Sequence, residues 1–307
     1  MVGSTDCKRV VETISTTLTS SSLNKIDCDN FTLLLRNKLI MEQKASFNEL
    51  EMQNILEKVV HESPNRTTGL GWISVLFDLP PSVTMFAANA SLDTLPTPDN
   101  LRRWKIERKM SSQRKIVSDK CLLGEEGLCT IGHVLSYCTF MLEHDVFNRP
   151  KWRHDTVLAT SIKKVFHNLG VIEYYCDLHV RENHYVHLHF SSSNLRPDLV
   201  LIKGKQIHNC ELSCPMEDYI DVRRSEKNSS FQSLFNESTT QGFAPSVYAF
   251  EVGARGVVSG ETFDLLAALA INSGKSKQIA DELTKVVLLC SYKINLTGDN
   301  KVRKILE

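Results

Sequence analysis

The chain carries no net charge: 36 lysines and arginines stand against 36 aspartates and glutamates over 307 residues. That balance excludes reading a nucleic-acid or acidic partner from overall charge, so local clusters have to carry any such argument. No run of about 18 uninterrupted apolar residues occurs, which argues against a membrane-spanning helix. The first residues, MVGSTDCKRVVETIS, lack the apolar core of a secretory signal. The six Asn-x-Ser/Thr sites, Asn65, Asn89 and Asn228 among them, therefore imply no glycosylation. No internal repeat is present. Nine cysteines without a secretion signal point to reduced thiols or a metal site, not a disulfide framework. An intracellular protein is expected.

What is there is ordinary for a globular chain, with 42% hydrophobic and 23% charged residues, and the length suggests about two domains. Residues 1–63 read as helices with polar joints, as in LLLRNKLIMEQ and MQNILEKVV. Residues 64–99 are richer in turn signals (SPNRTTG, LPPS, LPTPDN) around the apolar stretch GWISVLFDLP. Residues 101–120, LRRWKIERKMSSQRKIVSDK, hold eight lysines and arginines against two acids, with Trp104 among them. This suits a phosphate backbone with one stacking ring, and it equally suits a solvated helix or linker face. DTVLATSIKKVFHNLG predicts a helix over 155–170, capped by Asp155 and ended at Gly170. Strand-like segments follow: VIEYYCDLHV, HYVHLHF, a hairpin and SVYAFEVG. EDYIDVRRSEKNSSFQSLF has helical character, and GETFDLLAALAIN and SKQIADELTKVVLLCSYKI close the chain as helices. The order predicts an α/β (α+β) domain around one mixed sheet flanked by helices.

The hairpin lies in NLRPDLVLIKGKQIHNCELSCP, residues 194–215. Two strands fold about Gly204–Lys205, a two-residue loop whose leading glycine suits a type II′ turn. Asp198 then falls directly opposite Glu211. Opposed residues have Cβ atoms roughly 5 Å apart, and like charges there are destabilising. Either both acids sit on a wet face, or a divalent cation sits between them. Magnesium takes oxygen ligands and needs only one or two carboxylates.

CLLGEEGLCTIGHVLSYC places Cys121, Cys129, His133 and Cys138 close together. Three thiols and one imidazole are a tetrahedral zinc set. Without a tight two-residue knuckle, two of these cysteines also read as ordinary buried thiols. His187 and His189 share one face of HYVHLHF, which needs only a half-buried strand. With His179 and His184 nearby, no donor spacing makes a metal site there.

Four pieces in order resemble the C-terminal region of non-long-terminal-repeat retrotransposon polyproteins, where a zinc knuckle precedes a restriction-like endonuclease. They are LPTPDNLRRW; the Cys121–Cys138 cluster with KWRHDTVL; RPDLVLI, CELSCPMED and RRSEKNSSFQSLF; and EVGARGVVS with the later LLCSYKI. The resemblance covers about residues 95–294 and implies three regions. Residues 1–94 are a mostly helical stretch of unknown role, 95–145 a basic segment with a degenerate knuckle, and 146–307 a nuclease of the PD-(D/E)-x-K type. In such enzymes two acids on adjacent hairpin strands hold a catalytic metal. Carried over, Asp198 is the PD acid, Glu211 the second acid and Lys227 the catalytic lysine displaced to the following helix. Ser213, Ser230 and Gly124 stand where the family usually has Lys, Lys and Cys, and Phe231 takes the aromatic position. The implied activity is DNA nicking with Mg²⁺ or Mn²⁺. The metal polarises the phosphoryl group and lowers the pKa of a bound water, and Lys227 orients that water. Cys121, Cys129, His133 and Cys138 would take zinc. Arg196, Lys203, Lys205, Arg223, Arg224, Arg102 and Arg103 would contact phosphates of DNA, or of RNA. The chain contains no Y/F-x-D-D stretch, so a reverse transcriptase would belong to a longer polyprotein of which this is a fragment or truncated copy. An active copy is expected in the nucleus. Two alternatives stay open: a catalytically dead nucleic-acid-binding module, and an interaction protein without nuclease activity.

Overall fold

The computed structural model describes residues 73–103, 107–110, 113–116, 120–121, 127–143, 149–169, 173–178 and 196–306. These all fall in one structural unit, Glu57–Glu307. The helices expected in residues 1–63, Trp104, Gly124 and His179, His184, His187 and His189 lie outside the described residues. So does the link between the third and fourth strands.

Part of the stretch read as turns is helical. Helix α1 spans Pro81–Ser91. Its Pro81 provides a fixed φ and no N–H where a helix start needs none, so the LPPS signal marks an entry and not a loop. Helix α2 spans Pro98–Arg103. The Thr97 hydroxyl accepts the Asn100 amide at 3.3 Å, and the Asn100 side chain donates to the Leu95 carbonyl at 2.9 Å. The basic segment beyond holds a two-stranded hairpin, β1 (Glu107–Met110) with β2 (Gln113–Ile116).

The rest forms a mixed α+β layer structure. Helix α3 (Thr139–Glu143) and helix α4 (Arg149–Leu169) precede the main sheet. α4 starts six residues before the expected cap, so Asp155 is not an N-cap. It lies inside the helix, where its carboxylate meets His154. Strands β3 (Glu173–Cys176), β4 (Leu199–Lys203), β5 (Gln206–Ser213) and β6 (Ala244–Glu251) pair in that order. The first two pairings are antiparallel and β6 joins β5 in parallel. Helices α5 (Ile220–Ser230) and α6 (Gln232–Thr240) connect β5 to β6. Helices α7 (Gly260–Ala268) and α8 (Ser273–Leu306) follow.

Alternation along β4 shows how both faces are covered. Val200 and Ile202 pack with Ile207 against Phe231 and Leu234, at and beyond the end of α5. Leu199 and Leu201 point the other way, toward Leu265 of α7 and Leu283 of α8. A strand buried on both sides needs an unbroken apolar run, which LVLI provides. A second cluster joins Phe86, Cys121, Leu135, Met216, Ala254 and Ile294. Among the described residues, no helix is long and apolar enough to cross a membrane.

After β6 the chain makes one close approach. A Cβ on Gly253 would sit 2.7 Å from the Glu217 carboxyl carbon. Glu217 is fixed there by Arg255, whose backbone N–H and Nε donate to its two oxygens at 2.7 and 2.6 Å. Only glycine leaves room for that buried ion pair.

Candidate active site

The β4–β5 register is Leu199↔Cys210 through Lys203↔Gln206, closed by Gly204–Lys205. Gly204 has φ +63° and Lys205 is not left-handed, the pattern of a type II′ turn. Asp198, one step before β4, therefore faces Glu211 on β5. The two acids hold each other through backbone as well as position. The Asp198 amide donates to Glu211 Oε1 at 3.0 Å, and the Leu212 amide donates to Asp198 Oδ2 at 2.8 Å. Both are buried, Glu211 at 1% exposure and Asp198 at 9%. The wet-face reading of the pair is thus corrected: water does not screen these charges.

Lys227 reaches the pair from α5. Its Nζ lies 2.6 Å from Glu211 Oε2 and 4.0 Å from Asp198 Oδ2. The β5–β6 connection brings α5 over the face that carries Glu211, which is why a lysine sixteen positions along the chain meets it. His154 arrives from α4. Its Nε2 is 3.2 Å from Asp198 Oδ2 and its Nδ1 is 3.0 Å from Asp155 Oδ1. Sequence reasoning missed this histidine as a site residue. The only signal was the His-Asp pair in KWRHDTVL, which spacing alone does not connect to the hairpin.

The electrostatics follow from burial and neighbours. Burial and the Asp198 charge push Glu211 up to about 8, against the opposing pull of Lys227. Burial also works to raise Asp198, but the hydrogen bond and charge of His154, with Lys227 and the Leu212 amide, outweigh it and hold Asp198 below its ordinary value. Burial disfavours the charge on His154. Its hydrogen bonds to Asp155 and Asp198 and their charges prevail and raise it to about 9. Two adjoining carboxylates with one reluctant to ionise form a site that a further cation would relieve.

The expected phosphate contacts divide. Arg196, Lys203, Lys205 and Arg102 are exposed. Arg223 is exposed with its guanidinium 2.8 Å from Glu226. Arg103 pairs with Asp93 at 3.0 Å. Arg224 is half-buried, with Nε 3.1 Å from the fully buried Glu251, Nη2 2.6 Å from Glu261 and Nη1 2.9 Å from the exposed Asp221. The guanidinium is the counter-charge of the buried Glu251, which also has Ser259 beside it.

Beside the sheet, the ligand atoms of Cys121, His133 and Cys138 lie within 4.8 Å of one another, a buried cluster that could hold a metal ion. It is the only such group of three among the described residues. Thr130 Oγ1 accepts the His133 amide at 3.2 Å and starts the turn. His133–Tyr137 is a π-helical turn in which the Cys138 amide closes on the His133 carbonyl at 3.0 Å. That wider turn draws residues five apart toward one side. Cys129 is not in the cluster. It is buried at 5% exposure, its carbonyl 3.5 Å from the Asp99 amide of α2.

No protein-family model matches the chain, and a search of curated proteins returns no match.

Proposed function

We propose that this protein is a divalent-metal-dependent DNA endonuclease of the restriction-like kind found in non-long-terminal-repeat retrotransposons. One observation carries the reading: a tight hairpin sets two buried carboxylates, Asp198 and Glu211, side by side, and a lysine from the next helix completes them at 2.6 Å. Like charges set directly opposite each other are destabilising, and a divalent cation shared by the two carboxylates relieves that repulsion.

The donors fit Mg²⁺ or Mn²⁺. Both are hard oxygens and two carboxylates suffice, while burial and the Asp198 charge keep Glu211 reluctant to ionise without a cation. When bound, the ion would polarise the phosphoryl group and supply an activated water. Asp198 and Glu211 would hold it. Lys227 places an ammonium beside Glu211, where it orients a nucleophile or meets charge developing on phosphate. It takes over the position that Ser213 leaves without a base. Arg196, Lys203, Lys205 and Arg223 offer exposed charge for flanking phosphates, which position nucleic acid without reading bases. At the second cluster we propose zinc on Cys121, His133 and Cys138, two thiols and an imidazole that leave one position for another ligand.

The test is nicking of supercoiled plasmid with Mg²⁺ or Mn²⁺. Wild type is expected to nick, with Asp198→Ala and Glu211→Ala reduced at least about a hundredfold, the scale of a lost catalytic metal ligand's several kcal/mol. Equal DNA binding by all three with no cutting would leave a binding module. No affinity for DNA at low salt would favour an interaction protein.

A further inference from the structure

On the metal-dependent reading above, the cation needs one defined oxygen of Asp198. The structure shows a strong bias between the two. Oδ2 receives the Leu212 amide at 2.8 Å and His154 Nε2 at 3.2 Å, and Lys227 Nζ lies 4.0 Å away. Oδ1 takes none of these contacts. The imidazole is itself held, since Nδ1 meets Asp155 Oδ1 at 3.0 Å and so each ring nitrogen faces a carboxylate.

The backbone under that imidazole is equally fixed. Arg153, its neighbour on α4, is 1% exposed. Its guanidinium donates to the Cys214 carbonyl at 2.6 Å, just beyond β5, and to Ser291 Oγ of α8 at 3.1 Å. The helix that presents His154 is thereby tied to the strand that presents Glu211. Side chains held on rigid elements by a second layer of hydrogen bonds are what keep ligands in productive geometry.

We propose that His154 is a positioning residue: by donating from Nε2 to Asp198 Oδ2, it turns the carboxylate so that Oδ1 is the oxygen presented to the divalent cation. Asp155 acts behind it by fixing the ring. His154 touches neither cation nor phosphate in this role.

The test is Mn²⁺ binding by the full chain without DNA, read from the electron paramagnetic resonance signal of free Mn²⁺, with melting temperatures to confirm folding. Wild type is expected to bind and Asp198→Ala to lose the site. His154→Ala is expected to bind about tenfold more weakly, the usual cost of an outer partner. His154→Gln, whose amide still reaches Oδ2, is expected to recover most of the loss. A folded His154→Ala that binds like wild type, while Asp198→Ala does not bind, overturns the proposal and leaves the nuclease reading standing. An Asp198→Ala protein that binds like wild type overturns both. Should His154→Ala fail to fold, Asp155→Asn carries the test: weaker Mn²⁺ binding supports the role and unchanged binding overturns it.

Discussion

At Glu211 and His154 the fold holds protons that the unfolded chain would release. Glu211 is raised from 4.5 to about 8 and His154 from 6.5 to about 9. Both shifts favour the protonated form in the native state. Their stabilisation is complete below the ordinary values and is lost as pH rises through the folded ones. Without divalent cation, the melting temperature should therefore fall between about pH 6 and 9. Glu211→Gln has no proton to lose and should fall less steeply. Mg²⁺ should raise the melting temperature more at about pH 8 than at about pH 6, because cation and proton compete for Glu211. Scanning calorimetry across this range checks both; parallel slopes for wild type and Glu211→Gln would contradict the assignment.

The π-helical turn decides which donors of the cysteine–histidine segment meet. His133 and Cys138 belong to that one turn, and Cys121 is brought in where Lys120 bridges Leu128. Cys129, next after the bridge, is buried near α2 instead. Metal content per chain, measured by plasma mass spectrometry, should therefore stay near wild type in Cys129→Ser and drop sharply in Cys138→Ser. Equal loss in both would return Cys129 to the ligand set. The hairpin is the other element with a clear rule. A leading glycine sets a two-residue turn, the turn sets the register, and the register makes the acids neighbours.

Across the whole molecule, Arg153 is the common fastener. It reaches Ser136 of the π-helical turn at 3.4 Å as well as Cys214 and Ser291, so three distant segments close on one buried guanidinium. Its partners are neutral and burial holds its pKa below the ordinary arginine value. Arg153→Ala removes volume and strands a buried carbonyl, and the expected loss is about 3 kcal/mol or more. Arg153→Met keeps most of the volume and should lose less. Urea unfolding followed by far-UV circular dichroism measures both; a change under about 1 kcal/mol for the alanine variant would show the bonds to be incidental.

Local rules determined the hairpin. Gly204, the apolar run of β4 and the period-two alternation are properties of adjacent residues, so the sequence alone predicts that Asp198 opposes Glu211. Lys227 was readable only through the resemblance, since nothing in helical spacing says which way α5 crosses the sheet. His154, the burial of both acids, the pairing of Arg224 with Glu251 and the absence of Cys129 from the candidate metal cluster were decided by tertiary structure. Each depends on how segments far apart in the chain pack. Periodicity places a side chain on a face of its own element, but only the packing of elements decides what that face meets.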